Sequence, residues 1–195
     1  MHNYPGQITL NHKFGKALHE IAKKCNTIVE IGTFYGTGST KCIHLAMTRP
    51  EQRLTTVDFN ETTIQHARNL YRRDKRVSIV YGTLALPEEF DAFAYPDPNF
   101  RQYYEPEKLH NAKSPYVLHL IPDKIDLLLI DGGCWTSRAE FSKLYKRCSI
   151  IALDDTSKER EQKNWQNRLS LMEMGWKCLH DDLDERNGWA IFERP

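Results

Sequence analysis

The sequence predicts an α/β fold: a doubly wound, mostly parallel sheet of seven strands, closed by one antiparallel terminal strand. Three observations predict it. Short β-branched runs alternate with stretches of helical spacing over most of the chain, the pattern of repeated βα units and a parallel sheet. The run Ile125-Asp-Leu-Leu-Leu-Ile-Asp131 is nearly all apolar, as a strand covered on both faces must be. The last two strands are joined too closely for a helical crossover, so one of them must run antiparallel.

The elements follow in order. Phe14, Leu18, Ile21, Ala22 and Cys25 recur at helical spacing and give an opening amphipathic helix. The strand Thr27 to Ile31 empties into a loop with glycines at 32, 36 and 38, and a helix from Ser39 to Met47 follows, with Ser39 as its expected N-cap. Arg53 to Asp58 is a strand ending in an acid. Glu61 to Tyr71 is a helix, and Val77 to Tyr81 the third strand. Beyond the apolar fourth strand, 138–147 reads as a helix and Cys148 to Asp154 as a strand. Lys158 to Gly175 reads as one long helix stopped by its glycine. Trp176 to His180 and Gly188 to Phe192 close the sheet as two strands, with Asn187-Gly188 as the turn signal between them.

One stretch breaks the rhythm. Residues 84–122 carry several prolines and many aromatics, among them Phe90, Phe93, Tyr95, Phe100, Tyr103, Tyr104 and Tyr116. This is far longer than the usual connection of about 2–6 residues. Short helices are expected within Glu107 to Asn111 and Tyr116 to Leu120. The organisation predicted is a single domain over 1–195, in which 84–122 caps an acceptor site.

Composition narrows the function classes. With 27 basic and 26 acidic side chains the net charge is +1, so no electrostatic footprint points to nucleic acid. The basic cluster Arg68, Arg72, Arg73, Lys75 and Arg76 reads as a solvated helix end. No apolar run approaches the roughly 18–20 residues needed to span a bilayer, and Met1-His-Asn-Tyr-Pro-Gly6 lacks the order of a signal peptide. Five cysteines without a C-x-x-C pair read as reduced thiols, which places the chain in the cytoplasm.

The most informative run is Thr27-Ile-Val-Glu-Ile-Gly-Thr-Phe-Tyr-Gly-Thr-Gly-Ser39. Strand, glycine turn and helix N-terminus let backbone N–H groups approach a polar ligand closely. The spacing Glu30-x-Gly32-x-x-x-Gly36-x-Gly38 has no lysine after its last glycine, so it is not a phosphate loop. It resembles the first motif of class I S-adenosylmethionine-dependent methyltransferases, whose sheet also ends in one antiparallel strand. The resemblance covers most of the chain outside 84–122. It implies S-adenosylmethionine as cofactor, held by Glu30, Gly32, Thr33, Tyr35, Gly36, Gly38, Ser39, Asp58, Phe59, Gly82, Thr83 and Asp131. Asp58, which ends the second strand, stands at that family's ribose-binding position.

Asp131, Asp154 and Asp155 end the fourth and fifth strands. Acids gathered at one edge repel one another unless something positive neutralises them. Their blocks resemble the matching segments of metal-dependent O-methyltransferases. Catechol-type enzymes carry an Asp and then an Asp-Asn pair; macrocin-type sugar enzymes carry an Asp and then Asp-Asp, as here. The resemblance implies Mg²⁺ or another divalent cation on all three, with Asp131 also catalytic. A small-molecule or glycan acceptor is expected, most simply a sugar, with a catechol or phenol as the alternative and a catalytically silent cofactor-binding module as the rival class. No nucleic-acid and no membrane partner is expected, and the sequence leaves the oligomeric state open, a homodimer among the options.

The pattern departs from its relatives twice. Cys134 stands where catechol-type enzymes place a Lys and many sugar-type ones a His, and a thiol with a pKa near 8.5 is a poor base. Asp131, His110, His119 or the metal remain to take the proton. Tyr81-Gly-Thr83 lacks the acid that many relatives set against the adenine amino group, leaving Thr83 or a backbone carbonyl. The (D/N)-P-P-(Y/F) signature of base-modifying enzymes is missing after the fourth strand, and Tyr95-Pro-Asp-Pro98 lies in the wrong loop, so the acceptor is a hydroxyl. Trp135 and the aromatics of 84–122 are candidates to stack on it.

Overall fold

The computed structural model describes residues 6–90, 101–159 and 161–195. Its elements run α1 (Lys13–Ala22), β1 (Thr27–Ile31), α2 (Ser39–Ala46), β2 (Arg53–Asp58), α3 (Glu61–Tyr71) and β3 (Val77–Tyr81). Then come α4 (Arg101–Lys113), β4 (Ile125–Ile130), α5 (Ser137–Leu144), β5 (Cys148–Asp154), α6 (Trp165–Glu173), β6 (Lys177–Asp182) and β7 (Trp189–Glu193). The strands form one seven-stranded sheet in the order β3-β2-β1-β4-β5-β7-β6. All pairs are parallel except those of β7, which runs antiparallel to both β5 and β6. The predicted fold class is the observed one.

Alternation along each strand splits the core in two. Ile28, Leu54, Leu127 and Leu129 face α1 and α2, packing with Phe14, Leu18, Ile43 and Ala46. Val29, Val57, Leu128 and Ile130 face the opposite way, against Phe141 and Leu144 of α5 and Leu171 of α6. Successive strand side chains point to opposite faces, so covering both faces demands the unbroken apolar run read in β4.

Two elements differ from expectation. The long helix over Lys158 to Gly175 is only α6, Trp165–Glu173. Ahead of it the chain folds into turns, with Gln162 N–H donating to Ser157 O and Asn164 N–H to Asp155 O. The Asn164 side chain competes with helix formation by donating to Ile130 O at 3.1 Å and Asp154 O at 2.7 Å. In the 84–122 segment, α4 is longer than expected, a 13-residue helix with Pro106 inside it. Short 3₁₀ turns stand at Pro87–Glu89 and Leu118–Leu120. Phe93, Tyr95 to Pro98 and Phe100 lie outside the described residues. No helix among the described residues is long and apolar enough to cross a membrane.

Candidate active site

A cleft of about 290 Å³ opens at the carboxyl ends of β1, β2 and β4, where ligands of doubly wound sheets bind. Gly32 makes the edge tight. Its φ is +104°, and a Cβ there would sit 2.3 Å from Asp131 O, so β1 and β4 close on each other only through a glycine.

Among the predicted cofactor residues, Gly32, Thr33, Gly38, Ser39, Asp58, Phe59, Gly82, Thr83 and Asp131 line this cleft. Glu30, Tyr35 and Gly36 do not. Glu30 is fully buried below the loop, where it accepts from Ser39 Oγ at 2.6 Å, Thr40 Oγ1 at 2.7 Å and Thr56 Oγ1 at 2.6 Å. Burial still pushes its carboxyl up to about 7 against those three bonds. Glu30 therefore knits β1, β2 and α2 together and supports the loop from beneath. Ser39 is the first residue of α2 and its hydroxyl is spent on Glu30; Gly38 occupies the N-cap position. Gly36, with φ +73°, packs on Tyr71, whose hydroxyl donates to Gly36 O.

Asp58 ends β2 and lines the cleft. Asn60, not Asp58, caps α3, accepting from the N–H groups of Thr62 and Thr63. The Asp58 oxygens accept from Phe34 N–H and Asn60 N–H, each at 2.8 Å, and burial raises the carboxyl above its ordinary range. The carboxylate keeps lone-pair capacity for a further donor. Thr83 is otherwise engaged. Its hydroxyl donates to Ala85 O and accepts from Asn111 Nδ2 at 2.6 Å, so it ties α4 to the sheet edge.

The acidic trio converges. One carboxylate oxygen from each of Asp131, Asp154 and Asp155 lies within 4.8 Å of the others. Two cations that sequence reasoning passed over meet them. Lys163 Nζ reaches Asp131 Oδ1 at 3.1 Å and Asp155 Oδ2 at 3.2 Å, and Arg186 reaches Asp154 Oδ2 at 3.0 Å. Asn187 Nδ2 donates to Asp155 Oδ1 at 2.9 Å. The Asn187-Gly188 turn thus folds back over β5, with Gly188 O and Asn187 O accepting from Thr156 and Ser157 N–H. Burial raises Asp131 and, with its neighbouring carboxylates, holds Asp154 well above the usual range. Burial also raises Asp155, but Lys163, Asn187 and Arg186 outweigh it and hold that carboxyl low. Burial lowers Lys163, yet the acids outweigh it and keep the ammonium firmly charged.

The donor set suits a hard cation, and Asp154 Oδ1 is buried without a partner. Two cations already stand there: Lys163 bridges Asp131 and Asp155, and Arg186 pairs with Asp154, so a divalent ion would have to displace Lys163.

The other base candidates are elsewhere. His119 borders a separate surface groove with Tyr116 and Arg147, and His110 is exposed on α4. Burial pushes the Cys134 thiol up to about 12, which removes it as a base at neutral pH. Trp135, 2% exposed, packs edge-on against Tyr104 at 5.2 Å beside Phe90, so it fills the base of α4 and is not an acceptor platform. Further parts of the wall were missed. Gly6, Gln7 and Ile8 lie along the cleft, with Gly6 against Gly38. Phe34, 48% exposed at φ +50°, stands at its mouth. Glu140 lines the wall with a buried, unpartnered Oε2.

No family model matches the sequence, and no curated protein matches it. Solved structures do match in fold. An O-methyltransferase of Bacillus cereus, in complex with S-adenosylhomocysteine, is 19% identical, with a TM-score of 0.59 over 92% of this chain and 80% of that one. TomG of Streptomyces achromogenes, an O-methyltransferase involved in tomaymycin synthesis and seen with S-adenosylmethionine, is 17% identical, with a TM-score of 0.59 over 92% of this chain and 78% of its own. A Staphylococcus aureus protein, provisionally named a caffeoyl-CoA O-methyltransferase, is 17% identical, with a TM-score of 0.62 over 96% of this chain and 85% of that one.

Proposed function

The chain has the class I methyltransferase fold, and we propose that it transfers a methyl group from S-adenosylmethionine to a hydroxyl of a small molecule. The observation that carries this is the cleft itself: a glycine turn after β1 and a carboxylate ending β2, both in one wall at the carboxyl edge. Matching structures that hold S-adenosylmethionine or S-adenosylhomocysteine support the choice of cofactor.

The residues fit that cofactor. Asp58 retains lone pairs for the ribose hydroxyls, and the unpartnered Glu140 Oε2 offers a second acceptor for a polar donor. When bound, the cofactor supplies a methyl carbon made electrophilic by its sulfonium. Gly32, Thr33, Gly38 and Ser39 form the bed of the site, while Gly82 and Leu84 close its far side. Asp131 lines the cleft and is the carboxylate we assign to hold the acceptor's proton. Within a single domain, α4 is tied to the sheet edge by Asn111 Nδ2 donating to Thr83 Oγ1, and α4 is the part of the 84–122 segment proposed to cap the acceptor side. Lys163 pairs with Asp131 and Asp155 where a divalent ion would otherwise bind.

A phenol-type acceptor is favoured over a sugar. The Asp154-Asp155 pair is the one feature that points to a sugar, and Trp135, a candidate to stack on either acceptor, is buried away from the cleft. Two of the matching structures are named O-methyltransferases and a third carries a provisional caffeoyl-CoA name. Calorimetry with S-adenosylmethionine should show saturable binding at one site per chain. Turnover to S-adenosylhomocysteine should then appear with a panel of catechols and hydroxycinnamoyl compounds before it appears with glycans. Binding of NAD in place of S-adenosylmethionine would overturn the proposal.

A further inference from the structure

At the edge of β4 and β5, the place where three carboxylates would share a divalent ion is held by a side-chain ammonium. Lys163 Nζ has three N–H bonds and finds three acceptors: Asp131 Oδ1 at 3.1 Å, Gly132 O at 2.8 Å and Asp155 Oδ2 at 3.2 Å. Its hydrogen-bonding capacity is filled, and its side chain is 6% exposed. Arg186 faces the third carboxylate, and Asn187 covers the second oxygen of Asp155.

The lysine is delivered by a fixed backbone. Asn164, next in sequence, is anchored to the ends of both β4 and β5 through its side chain, and its N–H donates to Asp155 O. Asn167 Nδ2 in turn donates to Asn164 Oδ1 at 2.8 Å. A surface lysine swinging onto acids would need no such support. Magnesium demands near-octahedral oxygen ligands at about 2.0–2.1 Å. Nζ already lies 3.1 and 3.2 Å from the Asp131 and Asp155 oxygens, so an ion drawn to the same trio would compete with the ammonium for them, and two like charges at short separation repel strongly.

We propose that Lys163 permanently occupies the cation position of this acidic trio, so that the protein works without a divalent ion and the ammonium supplies the fixed positive charge beside the acceptor. Lys163 is a positioning residue, acting through Asp131 and Asp155, which share the cleft wall with it. The inference rests on the proposed function for its catalytic meaning, but its readout is metal binding and is decided separately.

The test is Mn²⁺ titration of the full chain, followed by electron paramagnetic resonance, on wild type, Lys163→Ala and Lys163→Ala/Asp155→Ala. Wild type should show no site at the trio. Lys163→Ala should bind one Mn²⁺ at least about a hundredfold more tightly, and the added Asp155→Ala should remove that site. Should Lys163→Ala be isolated unfolded, Mn²⁺ should restore its circular dichroism; no restoration overturns the inference. A wild-type Mn²⁺ site that Asp155→Ala abolishes overturns it, as does a folded Lys163→Ala that ignores the ion. Failure of wild type to bind S-adenosylhomocysteine would remove the proposed function and leave the Mn²⁺ result to stand by itself.

Discussion

Asp58 and Glu140 show how one wall carries acids with separate duties. Asp58 presents its carboxylate to the cleft from the end of β2 while two backbone N–H groups steady it. A hydrogen bond to a charged group contributes about 1.5–3 kcal/mol. Asp58→Ala should therefore weaken S-adenosylhomocysteine binding by about tenfold to a hundredfold in calorimetry. Asp154→Ala, outside the cleft wall, should leave that affinity within about threefold. Glu140, beside the acceptor it offers the cleft, also sets how stability varies with pH. Burial pushes its carboxyl from 4.5 up to about 7. Between those values the folded chain keeps a proton that the unfolded chain has released, so stability falls as pH rises through the window. Glu140→Gln escapes that cost. In urea melts it should exceed wild type by about 1–3 kcal/mol at pH 8, and the gap should close as pH falls toward 4.5.

Among the elements, the irregular run between β5 and α6 decides most. Asn164 stitches Ile130 O and Asp154 O together with one buried amide. Asn164→Ala leaves both carbonyls without that donor and should cost about 2–4 kcal/mol in a urea melt. Lys163 should become exchange-exposed along with it, read as faster amide exchange over 161–164. This run also marks where the sequence stopped being legible. The strands from Thr27 to Asp154 were readable because β-branched and apolar runs have few alternatives once both sheet faces are covered. Lys158 to Gly175 carries helix-formers whose spacing says nothing of the tertiary bonds that hold Asn164 out of the helix. Lys163 was hidden for the same reason, and Arg186 because a turn signal does not say what the turn lies against. Asp58 and Asp131 were legible, since a strand-ending acid has only the sheet edge to occupy. Glu30 misled: an acid inside the glycine motif reads as a ligand contact, while three hydroxyls from neighbouring elements claim it.

For the molecule as a whole, ligand binding and folding share one cleft whose walls come from β1, β2, β4, the N-terminal segment and the run before α6. Saturation to about a hundred times the dissociation constant adds about 2.7 kcal/mol of stability. S-adenosylhomocysteine should then raise Tm by about 5–10 °C in differential scanning fluorimetry, and EDTA should leave both Tm values where they were. The β6–β7 connection ties distant parts of this assembly together. Glu185 accepts from the first N–H groups of α1, Lys13 at 2.8 Å and Phe14 at 2.9 Å, and the next two residues are the ones that reach Asp154 and Asp155. The start of the opening helix and the chemistry-bearing rim are thus hinged on three adjacent side chains. Lengthening that connector by a single residue would unfasten both together, so the helix start and the rim would loosen in step.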